Sequence, residues 1–135
     1  MKKIFIIILL SSAIGCTATK TTDPNPLNGN WLPISQEMGG KAMPKAFYEK
    51  QKLTIEGLSY TLVAESVDKG ELNYANGRMD IYGREGINKG KHFSAIYKVE
   101  NGQLSICYNL KGDTYPEGFD TKGKALYFLS VYSKQ

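Results

Sequence analysis

The strongest constraint on the fold is a period-two alternation of apolar and polar residues that recurs from residue 29 to residue 134. Successive side chains of a β-strand point to opposite faces, so this alternation predicts strands with one buried and one solvated face. We predict eight such strands, in the segments GNWLPIS, KLTIEG, LSYTLVAE, GELNYANG, GRMDIYG, HFSAIYKVE, QLSICYNL and KALYFLSVYSK.

Turn residues separate these segments at short intervals. The pairs Asn76-Gly77 and Asn101-Gly102 each lie between two alternating runs, and Asn-Gly favours the type I′ turn of a two-residue hairpin. Eight strands joined by tight turns predict an all-β, antiparallel up-and-down barrel. One short helix is expected after the first strand, in MPKAFYEKQ, where Pro44 suits a first helical position.

The N-terminal sequence predicts an export signal followed by a lipid anchor. Lys2 and Lys3 precede an apolar run at 4–15, which is shorter than the roughly 18–20 residues of a membrane span. The run ends in Ala-Ile-Gly-Cys, which resembles the lipobox of bacterial lipoproteins and implies acylation of Cys16. We therefore predict a signal peptide at 1–15, a lipidated Cys and flexible tether at 16–26, and one domain at 27–135.

The residue after the anchor predicts where the protein resides. Thr17 stands where an Asp would retain the lipoprotein at the inner membrane of many diderm bacteria. The expected location is therefore the outer membrane, facing the periplasm, with the lipid membrane itself as a partner through Cys16.

Composition and motifs argue against several classes of function. The net charge of +4 is scattered over the chain without a basic stripe, so no nucleic-acid partner is predicted. The single His92, expected to face solvent, has no neighbouring ligand set, and Cys107 in LSICYNL is expected to be a buried structural residue. No spacing typical of a nucleophile, a phosphate loop or a metal ligand occurs, so we predict no enzyme, no cofactor and no metal.

One local motif gives the barrel an orientation. Gly29 and Trp31 open the first strand, and Trp31 is the only tryptophan of the chain. This resembles the G-x-W signature of lipocalins, in which the tryptophan plugs the closed end of an eight-stranded barrel. A large flat side chain can fill such an end, and glycine lets the entering backbone pack closely against it.

The resemblance extends over most of the domain, from about Leu27 to Tyr132. Its elements are Gly29 and Trp31, then Gly40-Lys41, then AIYKVENGQLSIC, and finally Pro116 with Phe119. Together they resemble a planctomycete-type group of small bacterial lipocalin-like domains. The resemblance implies a lipocalin-like barrel and no particular activity.

Two functions are compatible with such a barrel. In the first, the interior binds a small hydrophobic or amphipathic ligand, and strand parity places aromatic side chains on the interior face as candidate ligand contacts. These candidates are Tyr60, Tyr74, Phe93, Tyr97 and Tyr108. In the second, the interior is filled by side chains, and the protein is an envelope interaction or inhibitor module that uses loops such as 83–91 and 111–124.

Overall fold

Nine strands form one antiparallel sheet in the computed structural model, which describes residues 25–135. The predicted signal peptide, Cys16 and most of the predicted tether lie outside the described residues. The strands are β1 (Gly29–Met38), β2 (Lys41–Ala42), β3 (Lys52–Glu56), β4 (Ser59–Val63), β5 (Val67–Ala75), β6 (Arg78–Glu85), β7 (His92–Glu100), β8 (Gln103–Asn109) and β9 (Tyr127–Lys134).

The sheet closes on itself through pairing of its first and last long strands. β1 pairs with β9 from Trp31 opposite Lys134 to Met38 opposite Phe128, and it also pairs with β3. The ring therefore contains eight strands, β1 and β3–β9, each antiparallel to its neighbours. This confirms the predicted all-β, eight-stranded up-and-down barrel.

The extra strand and the helix differ from the sequence prediction. β2 pairs only with the last two residues of β1, and a strand of two exposed residues leaves no alternation to detect. The helix expected in 43–51 is a single 3-10 turn, Lys45–Phe47, that buries none of its residues. A helix without an apolar face to bury gains no packing energy, so only one turn forms.

The two Asn-Gly turns have the geometry expected of them. Asn76 and Gly77 have φ angles of 53° and 81°, and Asn101 and Gly102 have 52° and 73°. Positive φ at both central residues is the type I′ pattern, whose twist matches that of the flanking strands. These turns fix the registers of the β5–β6 and β7–β8 hairpins.

The core fills one end of the barrel more completely than the other. At the end where β1 begins, Leu27 and Trp31 are fully buried, and we call this the filled end. The opposite end carries the connections at 39–51, 64–66, 86–91 and 110–126, and we call it the open end. Because the barrel is up-and-down, alternate connections meet at the same end.

The long β8–β9 loop, residues 110–126, lies against the outer wall. Asn109 and Ser94 donate side-chain hydrogen bonds to the carbonyls of Thr114 and Gly112, at 2.9 and 3.1 Å. Thr121 is fully buried, where it accepts a hydrogen bond from the Gly40 amide at 2.9 Å and donates one to Glu37. The 111–124 segment, expected to be an exposed loop, is therefore partly packed into the structure.

Candidate functional site

A cavity of about 210 Å³ occupies the barrel interior at the open end. Its walls are mainly apolar. The apolar side chains that line it come from seven strands and one connection, and are Leu53, Ile55, Leu62, Leu72, Met79, Ile81, Phe93, Ile106, Leu110 and Phe128. A concave apolar site with a few polar groups is the common form of a small-molecule site.

One wall of the cavity carries a carboxylate and a phenol. Asp68 on β5 is 7% exposed and Tyr60 on β4 is 8% exposed, and both line the cavity. The Tyr60 ring lies over Gly70, where an added Cβ would come within 2.8 Å of the Tyr60 hydroxyl. Gly70 and Asp68 both face inward from β5, and the missing side chain of Gly70 leaves room for the Tyr60 ring.

The β6–β7 connection holds Asp68 in place. The Asn88 backbone amide donates to Asp68 Oδ1 at 3.3 Å, and the Asn88 side-chain amide donates to Oδ2 at 3.2 Å. Gly86, with φ of 91°, lies so close that an added Cβ would be 2.3 Å from Asp68 Oδ1. The carboxylate is therefore fixed in position at the border between this connection and the cavity.

A chain of polar side chains runs down the opposite wall. The Gln36 side-chain amide donates to Gln51 Oε1 at 2.8 Å and to Ser130 Oγ at 3.1 Å. Deeper in the cavity, the hydroxyls of Tyr108 and Tyr132 are 3.3 Å apart. In the ring of eight strands, β9 stands opposite β5, so this polar chain faces Asp68 across the lumen.

Burial keeps the cavity phenols protonated. Desolvation raises the pKa of Tyr108 well above its ordinary value and also raises the pKa of Tyr132. Desolvation raises the pKa of Tyr60 as well, with a further contribution from the nearby charge of Asp68. All three hydroxyls are therefore neutral at physiological pH and can donate or accept a hydrogen bond.

The structure separates the five aromatic candidates into two groups. Tyr60, Phe93 and Tyr108 line the cavity. Tyr74 and Tyr97 also pack against the core but lie toward the filled end, where their rings meet edge to face at 5.6 Å and 82°. Parity alone puts all five on the interior face, whereas their height along the barrel decides which ones reach the cavity.

Gly29 and Trp31 lie at the filled end, on the opposite side of the core from the cavity mouth. Trp31 is 1% exposed, and its Nε1 donates to the Leu27 carbonyl at 2.9 Å. Lys134 Nζ is 5.6 Å from the centre of the Trp31 ring. Gly29 has φ of 137°, a conformation that favours glycine. The atom nearest to an added Cβ would be Lys134 Cε, at 2.8 Å, which belongs to a flexible side chain that can move aside.

Sequence reasoning identified Tyr60 and Tyr108 but missed Asp68 and Gln36. Asp68 could have been predicted. On β5 the side chain of Leu72 points inward, and counting back two and four residues places Gly70 and Asp68 on the same inward face. Gln36 could not have been predicted, because the register between β1 and β9 shifts between Pro33 and Ser35. This bulge reverses the parity set by Trp31 and turns Gln36 into the barrel.

The other residues singled out in the sequence lie outside the cavity. His92 is exposed, as expected, and its Nε2 is 2.8 Å from Asp80 Oδ1 while its ring stacks on Tyr82. Cys107 is buried, as expected, on the outer face of β8, and desolvation raises the pKa of its thiol to about 11.

Within residues 25–135, no group of three or more His, Cys, Asp or Glu is arranged to hold a metal ion. The same residues contain no helix with the length and hydropathy needed to cross a bilayer.

The closed eight-stranded barrel, filled at one end and hollow at the other, defines a lipocalin-like fold. No family model matches this chain, and neither a curated protein nor a solved structure matches it. The resemblance to the planctomycete-type group therefore stays a prediction, and the fold and the cavity are what define the class of protein.

Proposed function

We propose that this chain is a membrane-anchored lipoprotein whose lipocalin-like barrel binds a small hydrophobic or amphipathic ligand at its open end. The single observation that carries the ligand proposal is the cavity of about 210 Å³. A barrel of eight short strands can be filled by its own side chains, and here the open half is not.

The size of the cavity restricts the ligand. Drug-sized ligands occupy pockets of about 300–1,000 Å³, whereas an apolar cavity of about 150 Å³ is large enough to bind benzene. A cavity of about 210 Å³ therefore suits a single ring with a short substituent or a short alkyl chain. The polar side chains on its two walls favour an amphipathic molecule over a hydrocarbon.

The membrane anchor rests on the sequence alone. The basic start, the short apolar run and the small residues before Cys16 support acylation of Cys16 and insertion of its acyl chains into a bilayer. Thr17 supports the outer membrane, facing the periplasm, as the location. The planctomycete-type resemblance is compatible with this assignment.

The alternative function, an envelope interaction or inhibitor module, is favoured by a different observation. Phe47 is 63% exposed and Ile87 is 74% exposed, and both belong to connections at the open end. Contiguous exposed apolar patches mark interaction sites, and these two side chains would form the apolar part of such a surface at the open end. The two functions differ in whether the cavity itself must stay accessible.

The ligand proposal predicts that closing the cavity abolishes binding. Leu62 lines the cavity and is only partly buried, so Leu62→Trp should fill the space without overpacking the deepest part of the core. We expect the wild-type protein, extracted from membranes, to carry a non-covalent ligand in native mass spectrometry, and Leu62→Trp to carry none. The acyl chains on Cys16 are counted separately.

The matched control is Thr61→Trp, which adds the same side chain to the outer face of the same strand. It should keep the ligand. If the wild-type protein carries no ligand and binds no apolar or amphipathic probe in titrations, the ligand proposal is wrong and the interaction module takes its place.

A further inference from the structure

We infer that the cavity ligand bears a cationic ammonium group, which Asp68 and Tyr60 bind, beside an apolar part held by the rest of the lining. This inference rests on the proposed ligand-binding function and specifies the chemical class of the ligand.

The first argument is the charge of Asp68. The residue is 7% exposed at the cavity wall, yet no cationic side chain within residues 25–135 forms an ion pair with it. The two bonds from Asn88 leave lone pairs on both carboxylate oxygens. A buried carboxylate without a counter-charge is costly, and a bound cation would supply that charge.

The second argument is the Tyr60 hydroxyl. Tyr60 lines the cavity and is 8% exposed, and its hydroxyl forms no hydrogen bond within residues 25–135. Since no fully buried side-chain N or O atom of these residues lacks a partner, the hydroxyl keeps some accessible surface. Tyr60 and Asp68 lie on the paired strands β4 and β5, Tyr60 opposite Gly70 and Asp68 opposite Leu62, so the two groups share one wall of the cavity. An ammonium group carries three N–H donors, which can serve the Asp68 carboxylate and the Tyr60 oxygen together.

The remaining lining fits the rest of such a ligand. The aromatic rings of Phe93, Tyr108 and Phe128 and several aliphatic side chains surround the same space. Aromatic faces attract cations and also pack against apolar groups. A carboxylate ligand, by contrast, would meet Asp68 as a like charge inside a poorly hydrated space, where repulsion is strong.

A purely structural role for Asp68 is the competing explanation. Its bonds to Asn88 fix the β6–β7 connection whether or not a ligand is bound. Asp68→Asn separates the two roles, because an Asn side-chain oxygen can still accept from the Asn88 backbone amide while the charge is lost.

The test compares three probes of similar size with different head groups: 2-phenylethylammonium, 2-phenylethanol and phenylacetate. Binding to the full chain in zwitterionic lipid nanodiscs is measured by calorimetric titration, with empty nanodiscs as the blank. We expect the ammonium to bind about tenfold or more tightly than the alcohol, as a charge-assisted contact would allow, and phenylacetate to bind most weakly.

Asp68→Asn should lower the affinity for the ammonium to that for the alcohol and leave the affinity for the alcohol unchanged. Tyr60→Phe should lower the affinity for the ammonium in part. The control, Glu71→Gln, removes a carboxylate from the exposed outer face of the same strand and should change nothing. If the alcohol binds the wild type as tightly as the ammonium, this inference is overturned while the proposed ligand-binding function stands. If none of the three probes binds, this inference is overturned as well, and the ligand-binding function is decided separately by the native mass spectrometry of the wild type and Leu62→Trp.

Discussion

Trp31 combines a large apolar surface with one hydrogen-bond donor, and both are used at the filled end. Trp31→Ala should lower the free energy of unfolding by about 3–5 kcal/mol, the range for large buried aromatics. Trp31→Phe keeps much of the ring but leaves the Leu27 carbonyl without its donor, which costs about 1–3 kcal/mol. Urea unfolding measures both changes.

The control for Trp31 is Phe47→Ala, which truncates an aromatic that is 63% exposed and should change the free energy of unfolding by less than about 0.5 kcal/mol. Native Trp31 fluorescence should have its maximum at shorter wavelength than free tryptophan in water. An emission maximum equal to that of free tryptophan would contradict the burial of this side chain.

Side-chain direction was predictable at residue level only where the strand was regular. Alternation from Leu62 on β4 and from Ile106 on β8 places Tyr60 and Tyr108 inside, because both strands are regular. Gln36 follows a bulge, and a bulge depends on how two distant strands pair. That information is not contained in the alternation of a single segment.

At the scale of elements, the β8–β9 loop lies on the outer wall, where Tyr115 donates to Asp80 Oδ2 at 2.6 Å. Cys107 points to this same outer face from β8 and is fully buried. Burial raises the pKa of its thiol to about 11, so the thiolate that reacts with thiol reagents is scarce until the packing on this face opens.

We predict that Tyr115→Phe speeds labelling of Cys107 about tenfold, because the loop loses a hydrogen bond to a charged group. The rate is measured with a thiol reagent in a Cys16→Ser background, where Cys107 is the only cysteine left. Tyr48→Phe, which loses only a 3.4 Å contact at an exposed site, is the control. Equal rates for wild type and Tyr115→Phe would mean that the loop does not govern access to Cys107.

The long strands and the Asn-Gly turns were predictable because their signals are local, namely alternation and a need for positive φ. The packing of residues 110–126 was not. Thr121 forms hydrogen bonds with Glu37 of β1 and with Gly40 of the turn after β1. Both partners are more than 80 residues away in the sequence, and no sequence pattern within the loop predicts them.

At the scale of the whole molecule, the chain enters the barrel at the filled end and the cavity lies toward the other. Asn25 donates a side-chain hydrogen bond to the Gly57 carbonyl there, at 3.1 Å. Cys16 precedes Asn25 by nine residues in the sequence, so the two are at most about 30 Å apart. In the proposed lipoprotein, the tether would thus leave the barrel on the side away from the mouth.

The anchor itself is tested by Cys16→Ser. Wild type expressed in a diderm bacterium should partition into the detergent phase and gain the mass of its acyl chains, because two or three chains hold a protein stably on a membrane. The variant should lack that mass and remain uncleaved or become soluble. Cys107→Ser, which changes the other cysteine, should still be acylated. A wild type that partitions into the aqueous phase would refute the lipoprotein assignment.

The seam between β1 and β9 has a consequence for the order of events during synthesis. These strands lie at opposite ends of the described residues, yet their pairing closes the ring. A growing chain that has not yet added Tyr127–Lys134 leaves the edges of β1 and β8 bare, and bare edges invite pairing with other chains. Closure of the barrel therefore has to wait until β9 has been synthesised, and loss of β9 alone would leave two unpaired strand edges at once, those of β1 and β8.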